Sequence, residues 1–310
     1  MPQYRKLRRR HSILDLCHNP ELAATVTLQP VERLGVDAAI IFADILLPFE
    51  PLRLGLRFAE GEGPLIDRPI REAVDVERLP SFSIEPELGF VLEAIRLARR
   101  ALPANVPLIG FAGAPFTLAS YAIEGGASRT FTMTKRLMYQ APDTWHLLLG
   151  KLADLVGRYL AAQAQAGAQA LQLFDSWVGC LSPDDYRTYA QPHSHKALAL
   201  AKEAGVPVIH FGTGTATFLE DFAAAGGDVI SVDWRIPLDA AWSRIGDRAI
   251  QGNLDPAALL APAGERTRQV RDILTRAGRR PGHIFNLGHG VLPETEVAAV
   301  RAVVDLVHGG

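Results

Sequence analysis

The sequence predicts an α/β fold built on a parallel sheet, and three observations carry that prediction. Seven short apolar runs recur along the 310 residues, each the length of a strand. Longer segments with apolar residues at three- and four-residue spacing lie between them, as amphipathic helices require. Glycines stand where a helix would end and the next run begin: Gly35, Gly167, Gly205 and the pair Gly226-Gly227. Strand, loop and helix repeated in this way is the pattern of a parallel sheet with crossover helices.

In chain order the strands are expected at Asp37–Ala43, Pro107–Ala112, Ala168–Phe174, Pro207–Phe211, Val229–Asp233, Ala249–Asn253 and His283–Leu287. Most are rich in Ile, Val or Phe, which suits strands buried on both faces. Helices are expected at Pro20–Leu34, Gly89–Leu102, Thr144–Ala166, Pro183–Ala204, Ala216–Ala225, Leu238–Ile245, Pro262–Ala277 and Glu294–Val307. A short apolar helix is expected between the small-residue turns at Gly110–Ala114 and Gly125–Ala127. A closed eightfold barrel needs eight strands. The pattern supplies seven, and the helix at Pro20–Leu34 has no strand ahead of it. An open doubly wound sheet is the alternative. It would usually carry a glycine-rich nucleotide loop after an early strand, and neither GxGxxG nor GxxxxGKS/T occurs here. No linker divides the chain, so one domain over residues 1–310 is expected.

Composition narrows the function. Hydrophobic residues make up 48% and charged residues 21%, which is ordinary for a globular protein. The formal net charge of −2 predicts no general affinity for nucleic acid or for a membrane surface. The two cysteines, Cys17 and Cys180, stand in no disulfide or zinc spacing, which fits a reducing, cytoplasmic compartment. No run of about 18 apolar residues is present to span a membrane.

The residues that could carry chemistry follow the short runs, which in a barrel is the catalytic face. Asp44 lies between IIFA and ILLP, where a carboxylate is costly to bury without a partner. It reads equally as a functional group or as a turn or capping residue. Tyr121, near the end of the short apolar helix, reads on its own as a packing aromatic. Asp175 and Ser176 stand at a strand end, outside any GxSxG elbow, so Ser176 reads as a hydrogen-bond donor at the mouth or as a cap. His210–Thr215 (HFGTGT) resembles a backbone anion cradle or an ordinary loop. His289 stands between two glycines at the last strand end and can titrate near neutrality.

Taken in order, the runs TLQP (Thr27–Pro30), DAAIIFADIL, GFAGAPFTL, YAIEGG from Tyr121, AGAQALQLFDS, GNLDP and FNLGHGVLP resemble the uroporphyrinogen decarboxylase family along essentially the whole chain. The resemblance implies a TIM (β/α)8 barrel whose first strand is missing from this chain. It implies removal of four acetate carboxyls from uroporphyrinogen III to give coproporphyrinogen III, with no metal and no organic cofactor. A protonated pyrrole then serves as the electron sink that a cofactor supplies elsewhere. By resemblance, Asp44 is the carboxylate that faces the pyrrole N–H groups and steadies the cation. Tyr121, Ser176 and His289 match positions that contact the substrate, mostly its carboxylate arms. A homodimer with facing clefts is also implied.

The family carries an arginine-rich segment, of the type RPVWxMRQAGRYL, ahead of a PEYR motif. Here Pro2-Gln3-Tyr4-Arg5 occupies the place of that motif, with Met1 alone before it. The expectation is therefore a natural start upstream, and a 310-residue form that is poorly stable and nearly inactive. The basic run Arg5–Arg10 reads as a solvated helix face rather than a replacement. Two other readings remain. A zinc- and corrinoid-dependent methyltransferase on the same fold would need a His-x-Cys and a later Cys, and the comparable strand end reads His210-Phe211-Gly212. A non-enzymatic tetrapyrrole-binding or partner-binding paralogue is the third reading.

Overall fold

The polar residues near the N-terminus set the first helix ends. The computed structural model describes residues 1–59 and 63–309. Helix α1 spans Pro2–Arg8 and α2 Ile13–His18, the latter opened by a reciprocal Ser12–Asp15 capping box. Helix α3, Pro20–Leu34, starts where the Asn19 side chain accepts the Leu22 N–H and stops at Gly35, whose φ of +71° closes the turn. Strand β1 follows at Ala39–Ile40. A hairpin, β2 (Leu56–Ala59) and β3 (Gly63–Ile66), then α4 (Ala73–Glu77) and α5 (Ile84–Ala101), lead to β4 at Leu108–Gly113.

The rest alternates. Helices α6 (Pro115–Glu124), α7 (Thr132–Gln140) and α8 (Pro142–Gln165) precede β5 (Ala170–Asp175). Helices α9 (Pro183–Asp185) and α10 (Gln191–Lys202) precede β6 (Val208–Gly212), and α11 (Leu219–Ala224) precedes β7 (Val229–Ser231). Then come α12 (Leu238–Arg244), β8 (Ala249–Leu254), α13 (Ala263–Ala277), β9 (His283–Leu287) and α14 (Val297–His308). Seven strands form one parallel sheet in the order β1-β4-β5-β6-β7-β8-β9, curled as in a TIM barrel. Its middle is dry: every residue of β6 and β7 is buried. One apolar core joins the sheet to the helices around it.

The seven expected strands are present, with differences at the edge. The run Asp37–Ala43 yields only two strand residues, because β1 has a neighbour on one side alone. Beyond it the Ile41 N–H still reaches the Ile109 carbonyl at 3.0 Å, but the Phe42 N–H turns to the Thr27 hydroxyl at 2.9 Å. The expected helix Pro183–Ala204 is broken by a wide π turn at Tyr186–Ala190. The β2–β3 hairpin and α7 were not expected from the pattern; both lie in stretches with no long apolar period.

Among the described residues β1 and β9 do not pair, so the curled sheet is open along one seam. Helix α1 lies across it. The Tyr4 ring meets Phe42 edge-on at 5.7 Å, and Arg5 Nη2 donates to the Pro293 carbonyl at 2.9 Å. Part of the run Arg5–Arg10 is thus a strap rather than a purely solvated face. His308 and Asp37, 3.0 Å apart, bridge the seam at its other end. Ile40 on β1 and Ile284 on β9 are 43% and 41% exposed, so the bridging elements leave the two strand edges partly uncovered.

Candidate functional site

The C-terminal ends of the strands carry a cleft of about 490 Å3 beside β1, lined by Thr27, Phe42, Asp44, Phe111, Phe174 and Ser176 among others. Asp44 enters it because β1 stops early and the chain bends. Its Oδ1 accepts the Leu46 N–H at 2.8 Å, a bond within its own turn. The carboxylate is therefore a turn residue and a cleft residue at once. Loss of water around it raises its pKa, and the Leu46 N–H opposes the rise. No arginine, lysine or histidine of the described residues lies within ion-pair distance of it.

Thr27 explains the TLQP motif. Its hydroxyl donates to the Ala23 carbonyl in α3 and accepts from Phe42, so the helix holds the strand extension that leads to Asp44. Gly110 explains part of GFAGAP. A Cβ there would come within 2.6 Å of Gln163 Oε1. With glycine in place, the Gln163 amide reaches from α8 and clamps Phe111 through both its N–H and its carbonyl, each at 2.8 Å.

Phe111 is the first of a row. Its ring meets Phe174 at 5.4 Å, Phe174 meets Phe211 at 5.2 Å, and Phe211 meets the His289 imidazole at 6.1 Å. All three contacts are edge-on in character, and they run from the Asp44 side of the mouth across β4, β5 and β6 to the loop after β9. The row gives the mouth an apolar floor. Sequence reading did not single out these phenylalanines. The signal lies in register: Phe174 and Phe211 are direct partners across β5 and β6.

The four residues expected at the site are not all adjacent. Ser176 shares the cleft with Asp44. Its carbonyl accepts the Thr213 hydroxyl at 2.5 Å, which ties the loop after β5 to the loop after β6. Tyr121 stacks on Trp177 at 3.8 Å, and Trp177 in turn meets Phe131. Burial pushes the Tyr121 phenol up to about 12, and the Asp44 charge adds to the effect, so the two side chains act on each other. His289 stands apart from Asp44, at the far end of the phenylalanine row. The residue is exposed as a whole, yet protein atoms about its ring displace enough water to lower its pKa. Arg235 lowers it further and Asp233 opposes. The glycine before it is required, because a Cβ on Gly288 would sit 2.8 Å from the Trp234 ring and 2.9 Å from Asp233 Cα.

Asp175, seen in the sequence only as a strand-end residue, proves to be a buried hub. Its carboxyl accepts from the Thr117 hydroxyl at 2.9 Å and the Ser194 hydroxyl at 3.4 Å. The Thr117 oxygen also accepts the Trp177 N–H at 3.3 Å. One carboxyl thus joins α6, α10 and the loop bearing Ser176 and Trp177. Burial raises Asp175 to about 7, with the two hydroxyls opposing.

At the strand end where a His-x-Cys zinc pair would stand, His210 is fully buried and stacked on Phe222 at 3.7 Å. A Cβ on Gly212 would meet Phe222 and Thr215 at 2.7 Å, so a cysteine does not fit there. Among the described residues no three His, Cys, Asp or Glu side chains cluster as a metal site would require.

Over residues 1–310 the chain matches the family described as Uroporphyrinogen decarboxylase (URO-D). It is 56% identical over 309 residues to the uroporphyrinogen decarboxylase of Carboxydothermus hydrogenoformans, covering 99% of this chain and 88% of that one. It is 57% identical to that of Sorangium cellulosum with the same coverage, and 53% identical to that of Thermus thermophilus over 304 residues, covering 98% and 89%. Among solved structures, a methyltransferase from Methanosarcina mazei superposes with a TM-score of 0.82 at 20% identity, covering 94% of this chain and 86% of that one. A B12-independent methionine synthase from Shewanella superposes with a TM-score of 0.62 at 12% identity over 94% and 88%. At these identities the two structures show the fold alone.

Proposed function

This chain belongs to the uroporphyrinogen decarboxylase family, and on that premise we propose that it decarboxylates the acetate arms of uroporphyrinogen to leave methyl groups, as a step of porphyrin biosynthesis. The observation that carries the reading is Asp44: a desolvated carboxylate without an ion-pair partner among the described residues, at one end of an apolar aromatic floor. Such a group is stabilised when a positive charge arrives in front of it.

The chemistry supplies that charge. Protonation of a pyrrole carbon makes the ring cationic. The C–C bond to the acetate carboxylate then breaks, carbon dioxide leaves, and the bonding pair flows into the ring. A second proton converts the exocyclic methylene to methyl, and the first proton then leaves the ring carbon and restores the pyrrole, so each arm exchanges its carboxyl for a hydrogen. Asp44, aimed at the pyrrole N–H groups, lowers the energy of the cation by preorganised electrostatics. The phenylalanine row supports the flat face of the macrocycle. Tyr121, Ser176 and His289 donate to carboxylate arms at the rim. The lack of a His-x-Cys pair at Gly212 disfavours the zinc methyltransferase reading. The reading extends to a single domain over 1–310, a cytoplasmic homodimer and uroporphyrinogen III as the isomer used. It is supported there by family membership.

The test is to incubate the purified chain with uroporphyrinogen under reducing, anaerobic conditions and resolve the products by carboxyl number. Hepta-, hexa-, penta- and tetracarboxylate products formed faster than in the protein-free control are expected. Product distributions identical to the control would overturn the proposal.

A further inference from the structure

An octacarboxylate substrate needs cations around the cleft, and the far rim offers one. We propose that Arg235 is a further substrate-binding residue, which takes a carboxylate arm of the macrocycle beside His289; this rests on the decarboxylase reading above.

The loop after β7 is built to hold that guanidinium still. Asp233, only 3% exposed, accepts the Gly214 N–H at 2.7 Å, the Arg235 N–H at 3.0 Å and an ion pair from Arg235 Nη1. The Asn253 amide reaches across from β8 and donates to the Asp233 carbonyl at 2.9 Å and the Ile236 carbonyl at 2.7 Å. That reach explains the GNLDP motif. A Cβ on Gly252 would lie 2.6 Å from the Val232 carbonyl, so glycine is needed for β8 to approach the loop. The guanidinium also lies 4.4 Å over the Trp234 ring, a favourable place for a cation. Gly288, just before His289, packs on Trp234 and Asp233. Arg235 and His289 therefore stand on two loops in direct contact.

A plain surface ion pair with Asp233 is the competing explanation. It accounts for less. Asp233 already has two backbone N–H donors and does not need the arginine to be satisfied. Among the described residues Arg235 Nε and Nη2 donate to no protein atom, and the side chain is 52% exposed. One edge of the planar fork is left without a protein partner, and two N–H groups on one edge are what a carboxylate reads in bidentate fashion. The packing of Gly288 against Trp234 and Asp233 keeps Arg235 and His289 on neighbouring loops of the rim, and the Arg235 charge lowers the His289 pKa.

The test compares wild type, R235Q and R235K for steady-state turnover of uroporphyrinogen and for binding of uroporphyrin, the oxidised octacarboxylate, by fluorescence titration. Loss of a charge-assisted pair of hydrogen bonds should raise KM and weaken uroporphyrin binding about tenfold or more in R235Q, with kcat little changed. R235K, which keeps the charge and loses the fork, should fall between. The rise of KM with added salt should be shallower in R235Q than in wild type. A wild-type KM and uroporphyrin affinity in R235Q would overturn the proposal, as would a lower kcat with KM unchanged. Should R235Q not fold, R235K with wild-type KM and affinity would overturn it. Uroporphyrin binding needs no turnover. An inactive wild type would sink the decarboxylase reading while the binding comparison still decided the role of Arg235.

Discussion

Asp175 has no water to share its charge. Fully buried and held by two hydroxyls, it is raised to about 7, above the 3.8 of a free carboxyl. The folded chain therefore binds a proton more tightly than the unfolded one. The stabilisation from that proton is complete below about pH 4 and is lost as pH rises to about 7, at up to about 1.4 kcal/mol per pH unit. In Asp175→Asn the amide oxygen still accepts from Thr117, and nothing titrates. The melting temperature of the variant minus that of wild type should climb between pH 4 and pH 7 and level off above. A difference that stays flat across that window would show that Asp175 is not a buried, proton-binding carboxyl. At this scale the sequence revealed residues whose chemistry jars with their surroundings: Asp44 inside an apolar run, and His289 between two glycines. It did not reveal the phenylalanine row, because a phenylalanine in an apolar strand jars with nothing. Nor did it reveal that Asp175 binds three elements, since two of its partners are a threonine and a serine on distant helices.

Strand β1 shows how an element depends on its neighbours. Its apolar run is seven residues long in the sequence, yet only Ala39 and Ile40 form a ladder, because only β4 lies beside it. The Thr27 hydroxyl takes over where the ladder ends. Strand β9 at the other edge is half-exposed throughout, whereas β6 is buried at every residue. Amide hydrogen exchange should follow this gradient. Protection should be greatest in β5, β6 and β7, and lowest in β1 and β9, whose outer edges have no partner strand among the described residues. Equal protection at the edges would mean that they are paired in solution. Elements with a long apolar period were legible in the sequence with boundaries off by a few residues, as α8 and α13 show. The hairpin was not, since β2 and β3 are each four residues long. The break in Pro183–Ala204 was not either, because a π turn leaves the apolar period almost intact.

Across the whole molecule, the loops after the strands converge on one mouth, as in other parallel barrels. The stitches are specific: Thr213 to the Ser176 carbonyl, Asp233 to Gly214, Asn253 to the Asp233 carbonyl, and Gly288 against Trp234. They turn separate βα units into one rim. The sequence placed its motifs at that rim because each follows an apolar run. It could not show that Asp44 and His289 lie at opposite ends of an aromatic floor, since that depends on how the sheet curls. The charge at the Asp44 end is the feature on which turnover depends. If Asp44 faces a developing pyrrole cation, removing its charge while keeping its shape should strike turnover and spare folding. The deciding measurement is the rate of carboxyl loss from uroporphyrinogen for wild type and Asp44→Asn at equal concentration, with thermal melts alongside. A fall of roughly 10²–10³ in kcat with a melting temperature close to wild type is expected. Equal rates for the two proteins would contradict the account.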